Sequence, residues 1–265
     1  MTTLSVVVEG VGIWAPGLKG WPRAAAVLRG TACVDDAPER PRGTVLAQAE
    51  RRRAPHSVLM ACDVAAEACA MAGRDAATLP SVFASIEGDM AVTDYLCRTL
   101  AANPLDLSPT RFHNSVHNAA AGYWSIASGC HAPSTAISAS HMSFAAGLLE
   151  SATQALCEQT PVLLVAYDTH SPGPLADVWP SASLFGAALI VAPADDTAGL
   201  AILRLRCDAH ETTASALPQH LVPLAAANPM AASALPLLAL LAGNTAGQVT
   251  LAGDGAPALT IEVER

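Results

Sequence analysis

A histidine stands where the sequence turns from an apolar strand into an amphipathic helix. In the stretch from Pro133 to Leu156, Ala136 and Ile137 read as a buried strand, Ser138, Ala139 and Ser140 follow, and His141 comes next. Beyond it Met142, Ala145, Leu148, Leu149, Ala152 and Leu156 recur at threes and fours, the spacing of one helical face. A strand that turns abruptly into a helix presents its turn residue at the positive end of the helix, beside free backbone N–H groups. Such a turn can hold a nucleophile or an oxyanion, and an imidazole placed there has the chemistry of a base or a polar stabiliser.

Other candidate groups are weaker. His113 and His117 lie four apart, the spacing of a metal pair, but no His-Glu-x-x-His pattern accompanies them and Asn114 and Asn118 flank them. A structural polar network is the simpler expectation, and no metal is expected. Ser138 and Ser140 adjoin His141, yet neighbours on a strand point to opposite faces and no Gly-x-Ser-x-Gly elbow exists. Asp168, Thr169 and His170 follow a strong apolar strand, at the end where α/β proteins place their sites. They read as loop residues, with a shared pocket at His141 as the functional alternative. Lys19 is the sole lysine, and no Gly-Lys-Ser/Thr phosphate loop is present, so Schiff-base and nucleotide-driven chemistry lack their usual residues.

The elements that must position these groups alternate. Leu4–Val8 is a strand, followed by a turn-rich loop GVGIWAPG that carries Trp14. Trp21–Leu28 is a short helix, residues 31 to 49 are loop-like, and Pro55–Gly73 is a helix closed by Gly73. Ser81–Ile86 is a strand ending in the acidic turn Glu87-Gly88-Asp89, and Val92–Ala101 and Asn118–Ser128 are helices. Val162–Tyr167 and Ala187–Val191 are strands. Ala201–Arg206 and Ala258–Val263 are late strands flanking a helix near Leu235–Leu241. Strands alternating with helices predict an α/β layered domain.

Composition narrows the classes further. The chain has 265 residues, 52% hydrophobic and 14% charged, enough to build a large buried core. Its net charge of −9 argues against a nucleic-acid partner, and the one basic cluster, Arg51 to Arg53, is short. Seven cysteines, an odd number with no Cys-x-x-Cys pair, read as buried free thiols in a reducing cytoplasm. MTTLSVVVEG lacks a basic leader and reads as a first strand. The long uncharged run Leu221–Gly243 is broken by Pro223, Pro229 and Pro236, so it reads as a loop and buried helix and not as a membrane span.

The run RFHNSVHNAAAGYWSIASGCHAPSTAISASHMSFAAGLLESA resembles the β-ketoacyl synthase family, in which an Asn-Ala-x-x-Gly helix and a strand lead to the nucleophile elbow. VEGVGIWAPG, SVFASIEGD, VLLVAYDTH and SLFGAALIVA resemble other parts of that family in the same order, over residues 4 to 193. A closer resemblance is to the short ketosynthase-like chain-length factors of aryl polyene and xanthomonadin-type pathways. The resemblance implies a thiolase-like α-β-α-β-α layered fold in a single domain, residues 1–265. Residues 1–195 would be its N-terminal half and 196–265 a contracted C-terminal half.

Two departures from the family bear on activity. Laying its Ser-Ile-Ser-Thr-Ala-Cys over this sequence puts His141 at the nucleophilic cysteine, while Cys130 falls eleven positions earlier. A thiolate accepts the acyl chain because a thioester is reactive enough to pass it on, and imidazole cannot hold a stable acyl intermediate in its place. The family's two C-terminal histidines also lack counterparts. No His-Gly-Thr-Gly exists, and Asn228 in AANPMAASALPLLALLAG stands where the second histidine would be. His210 and His220 are the only histidines in that half, and surface or structural roles are the simpler reading for both.

The resemblance therefore implies a non-condensing subunit that pairs with an active ketosynthase in a heterodimer, or with itself, and that meets an acyl carrier protein. No cofactor is expected. The enzymatic alternative is a malonyl or acyl carrier protein decarboxylase or acyl-transfer enzyme using His141, with Asp168 or His170 in its pocket.

Overall fold

The computed structural model describes residues 3–34, 40–194, 199–208, 213–253 and 257–265. In chain order its elements are β1 (Leu4–Ala15), β2 (Leu18–Lys19), α1 (Trp21–Leu28), α2 (Gln48–Arg53), α3 (His56–Ala72), β3 (Ser81–Ala84) and α4 (Met90–Ala102). Next come α5 (Pro109–His113), α6 (Ala119–Ser128), β4 (Ser134–Ile137), α7 (Ser143–Glu158), β5 (Val162–Asp168) and α8 (Leu175–Val178). The chain finishes with β6 (Phe185–Pro193), β7 (Ala201–Asp208), α9 (Val222–Ala227), α10 (Pro229–Gly243), β8 (Gly247–Leu251) and β9 (Ala258–Glu264).

All of the strands join one sheet in the order β4-β3-β5-β6-β1-β7-β9-β8, with β2 folded back on β1. β4, β3 and β5 run parallel, and the remaining neighbours are antiparallel. Parallel neighbours require crossovers, and these are supplied by the helical run α4 to α6 and by α7. The fold is α/β, as the alternation predicts.

Strand period two divides the core. Val82, Ala84, Leu164, Ala166, Leu189 and Val191 face one side with Phe144 and Leu148 of α7 and Leu235 and Leu238 of α10. Phe83, Leu163, Val165, Tyr167, Ala188 and Ile190 face the other with Val58, Val64 and Ala68 of α3 and Trp124 of α6. Each fully buried Leu or Phe contributes about 1.5–3 kcal/mol, so both helical layers are held chiefly by apolar burial. Gly73 closes α3 in the left-handed region at φ 64°, as its position predicts.

Three expectations need correction. The GVGIWAPG segment is strand, because β1 continues through it to Ala15. Its glycines have a packing reason: a Cβ on Gly10 would strike the Ala68 carbonyl, and one on Gly12 the Val64 carbonyl, both on the backbone of α3. Ala136 and Ile137 are not buried, since β4 is the outermost strand and Ala136 is exposed. Strand β8 has no counterpart in the sequence reading; its five residues include Gly247, Gln248 and Thr250, too few apolar positions to announce it.

The sheet is continuous, and α10 lies against β5 and β6 as well as β8 and β9. Over the outer face of β7, β9 and β8, no helix lies among the described residues. That face carries Arg204, Gln248, Glu262 and Glu264, the polar half of a sheet wetted on one side. The expected junction between halves, at 195/196, lies outside the described residues.

Candidate functional site

The turn between β4 and α7 is a tight elbow. Met142 N–H donates to the Ala139 carbonyl and Ser143 N–H to that of Ser140, both at 3.0 Å. The buried Ser143 hydroxyl accepts from Ala139 N–H at 2.9 Å and donates to the Ser140 carbonyl at 2.7 Å. The residue in the left-handed region is Ser140, at φ 50°, one position before His141. A non-glycine residue there is uncommon and marks strain that the surrounding bonds maintain. Ser138 donates to the Ile86 carbonyl at 2.8 Å, which ties the elbow to the turn after β3.

His141 is exposed at this elbow. Its ring stacks on Trp179, with centroids 4.6 Å apart and planes at 28°. Its carbonyl accepts from the Ser233 hydroxyl on α10 at 2.7 Å. Among the described residues no carboxylate and no second imidazole bonds to its ring. Cys130 is no substitute thiol, since it is buried before β4 and its Sγ donates to the Leu79 carbonyl at 3.3 Å.

Asp168, at the C-terminal end of β5, is buried and held by the Ser85 hydroxyl at 2.7 Å and the Ile86 N–H at 3.0 Å. Burial pushes its carboxyl up to about 7 from 3.8, against the opposing effect of those donors. Burial likewise pushes the Tyr167 phenol up. Because Ile86 contacts both Asp168 and Ser138, Asp168 supports the elbow's frame without reaching the imidazole.

Asn228 is fully buried at the start of α10. Its Oδ1 accepts from the N–H of Met230 at 2.9 Å and of Ala231 at 3.3 Å, an N-cap. Its Nδ2 donates to the Ser183 carbonyl at 2.8 Å and to the Asp168 carbonyl at 3.4 Å. Asn228 and Asp168 thus belong to one network, and Asn228 acts there as a clamp.

The other histidines lie apart. His170 lines a separate cleft with Arg52, Arg53, His56, Asp89 and Arg111. His117 bonds to the Ser85 carbonyl at 2.9 Å, and His113 packs edge-on to Tyr123. No group of residues able to hold a metal occurs among the described residues. His220 bonds to the Leu28 carbonyl on α1 at 3.3 Å, and His210 lies outside the described residues. Trp179, Ser233 and Ser143 escaped the sequence reading. Trp179 sits on the long β5–β6 connection, where no spacing signals a contact with residue 141.

Residues 21–252 match the model of the β-ketoacyl synthase N-terminal domain. The chain belongs to the β-ketoacyl synthase family. Among solved structures it is similar to a chain of the complex of the ketosynthase ApeO with its chain length factor ApeC from Xenorhabdus doucetiae. That similarity has 20% identity and a TM-score of 0.70, over 99% of this chain and 100% of that one. A chain of the ishigamide ketosynthase/chain length factor is similar at 15% identity and a TM-score of 0.73, over 98% and 99%. A β-ketoacyl synthase from Burkholderia phymatum is similar at 13% identity and a TM-score of 0.59, over 78% of this chain and 65% of that chain. No curated protein matches. The thiolase-like fold is thereby common to this chain and those structures, and no helix among the described residues is long and apolar enough to cross a membrane.

Proposed function

We propose that this chain is a non-condensing, chain-length-factor-like subunit that pairs with an active β-ketoacyl synthase in polyketide or aryl polyene assembly. The observation that carries the reading is His141 at the elbow, stacked on Trp179 and without an acid, base or thiol partner among the described residues. A condensing site needs a thiolate and groups to stabilise the decarboxylated donor, and this elbow offers neither.

The surface around the elbow supports pairing. Ala136 and Ser138 to His141 are exposed, β4 is an outer strand with one side unpaired, and Ile126 on α6 is 77% exposed. An open strand edge beside apolar surface is suited to addition of a partner. Two of the similar chains come from structures of a ketosynthase with a chain length factor. The acyl carrier protein would then meet the pair, and residues 196–265 would be the contracted half of one domain. Seven free cysteines suit a reducing cytoplasm.

The test is co-expression with the ketosynthase encoded beside it, only that partner being tagged. We expect one-to-one co-elution, product of defined length only with both chains, and both results retained in His141→Ala. Ala136→Lys, which sets a charge on the open edge, is expected to abolish co-elution while the isolated chain stays folded. Separate elution with elongation unaffected refutes the reading. Loss of malonyl decarboxylation in His141→Ala would instead establish the enzymatic alternative.

A further inference from the structure

The structure carries a second cleft, of about 480 Å³, on the face of the sheet that holds α3. It lies within the range of small-molecule sites, roughly 300–1,000 Å³. Its lining joins the end of α2, the starts of α3, α4 and α5, and the residues just after β5.

Charge is concentrated there against the trend of the chain. The protein has a net charge of −9 and 14 Lys and Arg in all, yet Arg52, Arg53 and Arg111 line this one cleft with His56 and His170. Arg53 is paired with Glu50. Arg111 lies over the Tyr95 ring at 4.1 Å, which occupies the face of its guanidinium and leaves the edge donors unspent. Arg52 has no partner among the described residues. The one carboxylate on the lining, Asp89, is committed: Oδ2 accepts from the Ser57 hydroxyl at 2.7 Å and Oδ1 from Val92 N–H at 3.0 Å. With Arg53 offset by Glu50, Arg52 and Arg111 against one carboxylate leave the lining positive.

Backbone donors add to this. Helix α3, 17 residues long, begins at His56 without a side-chain cap, so its first N–H groups and the positive end of its dipole are unspent. An anion is the ligand such an end favours.

An independent observation marks the floor of the cleft. Thr169 lines it, is only 4% exposed, and its Oγ1 has no hydrogen-bond partner among the described residues. A buried hydroxyl left unpaired is costly, a penalty that an acceptor entering the cleft would relieve. Thr169 immediately follows Asp168 and is separated from Arg52 by more than a hundred residues, so folding alone assembles the group.

We propose that this cleft binds a phosphate group, with Arg52 and Arg111 as charged donors, the start of α3 as backbone donor, and the Thr169 hydroxyl donating to a phosphate oxygen. The site is independent of the pairing function and of the elbow at His141. The same chemistry can come from a terminal phosphate on a small molecule or from a phosphate linked at both ends.

The test is titration of the full chain with inorganic phosphate at constant ionic strength, chloride balancing, followed by calorimetry. Saturable binding is expected, weakened about 10-fold or more in Thr169→Val and in Arg52→Gln, since each removes one hydrogen bond to a charged ligand. Arg204→Gln, on β7 and outside the lining of the cleft, is expected to bind as the parent does. Thr169→Val loses no hydrogen bond of the unliganded protein, so its unliganded melting temperature is expected to hold. That separates binding from folding. Parallel titrations with phenyl phosphate and dimethyl phosphate assign the source: affinity for the monoester alone marks a terminal phosphate, and affinity for the diester marks a linked one. A non-saturating response, or parental affinity in both Thr169→Val and Arg52→Gln, overturns the proposal.

Discussion

Asn228 and Ser183 are joined across the front of the sheet, the side-chain amide donating to the Ser183 carbonyl at 2.8 Å. The same side chain caps α10, so one residue fixes both the start of that helix and the end of the connection that carries Trp179. Asn228→Ala removes the cap and the shortest hydrogen bond to the Ser183 carbonyl. A loss of about 2–4 kcal/mol is expected, read as a lower urea midpoint. Asn228→Asp keeps an acceptor for Met230 but turns a second oxygen on Ser183, so it is not expected to rescue stability at neutral pH.

Asp168 makes stability depend on pH in an unusual direction. Its carboxyl titrates at 3.8 when unfolded and at about 7 when folded, chiefly through burial, so the folded state holds the extra proton between those values. Stability from this group is therefore fully present below pH 3.8, falls as pH rises toward 7, and changes little above. Asp168→Asn, which keeps an acceptor for Ser85 and Ile86, is expected to flatten that slope. Urea unfolding of both proteins at pH 5 and pH 8 checks it; a slope unchanged by the substitution rejects the assignment.

Thiol reactivity should split the cysteines four to three. Cys33, Cys97, Cys157 and Cys207 are exposed, whereas Cys62, Cys69 and Cys130 are buried. Burial pushes Cys62 up to about 12 and Cys69 up to about 11, so neither supplies thiolate near neutral pH. Alkylation of the isolated native chain, followed by mass, is expected to reach four adducts and stop until the protein is denatured. Rapid labelling of Cys62 would contradict the packing of α3.

Gly12→Ala should be far worse than an ordinary surface change. Its Cβ would meet the Val64 carbonyl on the backbone of α3, and a helix backbone cannot swing away as a side chain can. The expected cost is about 3 kcal/mol or more, with α3 lifted from β1. A melting temperature equal to the parent's would show that β1 and α3 are not in such close approach.

These particulars explain what was legible in the sequence. Helical periodicity announced α3 and α7, a continuous apolar run announced β5, and Gly73 marked the end of α3. Glycines obscured the second half of β1, since residues that admit a helix backbone look locally like turn residues. Ala136 and Ile137 read as core because apolar content does not distinguish a central strand from an outer one. The elbow at His141 was legible, but its partner Trp179 was not, nor was the cleft that Thr169 and Arg52 both line. Contacts between distant segments leave no local period to read.

The two ends of the sheet differ in a way that sets how far an assembly can grow. At β8 both outward backbone groups of Thr250 are taken by Ser215, whose N–H donates to the Thr250 carbonyl at 2.9 Å and whose hydroxyl accepts from the Thr250 N–H at 2.8 Å. At β4 no such clip exists among the described residues. A sheet open at both ends would recruit strands head to tail and polymerise into a fibre. With one end stoppered, the molecule has a strand-pairing valence of one, and growth along the sheet terminates once that end is filled.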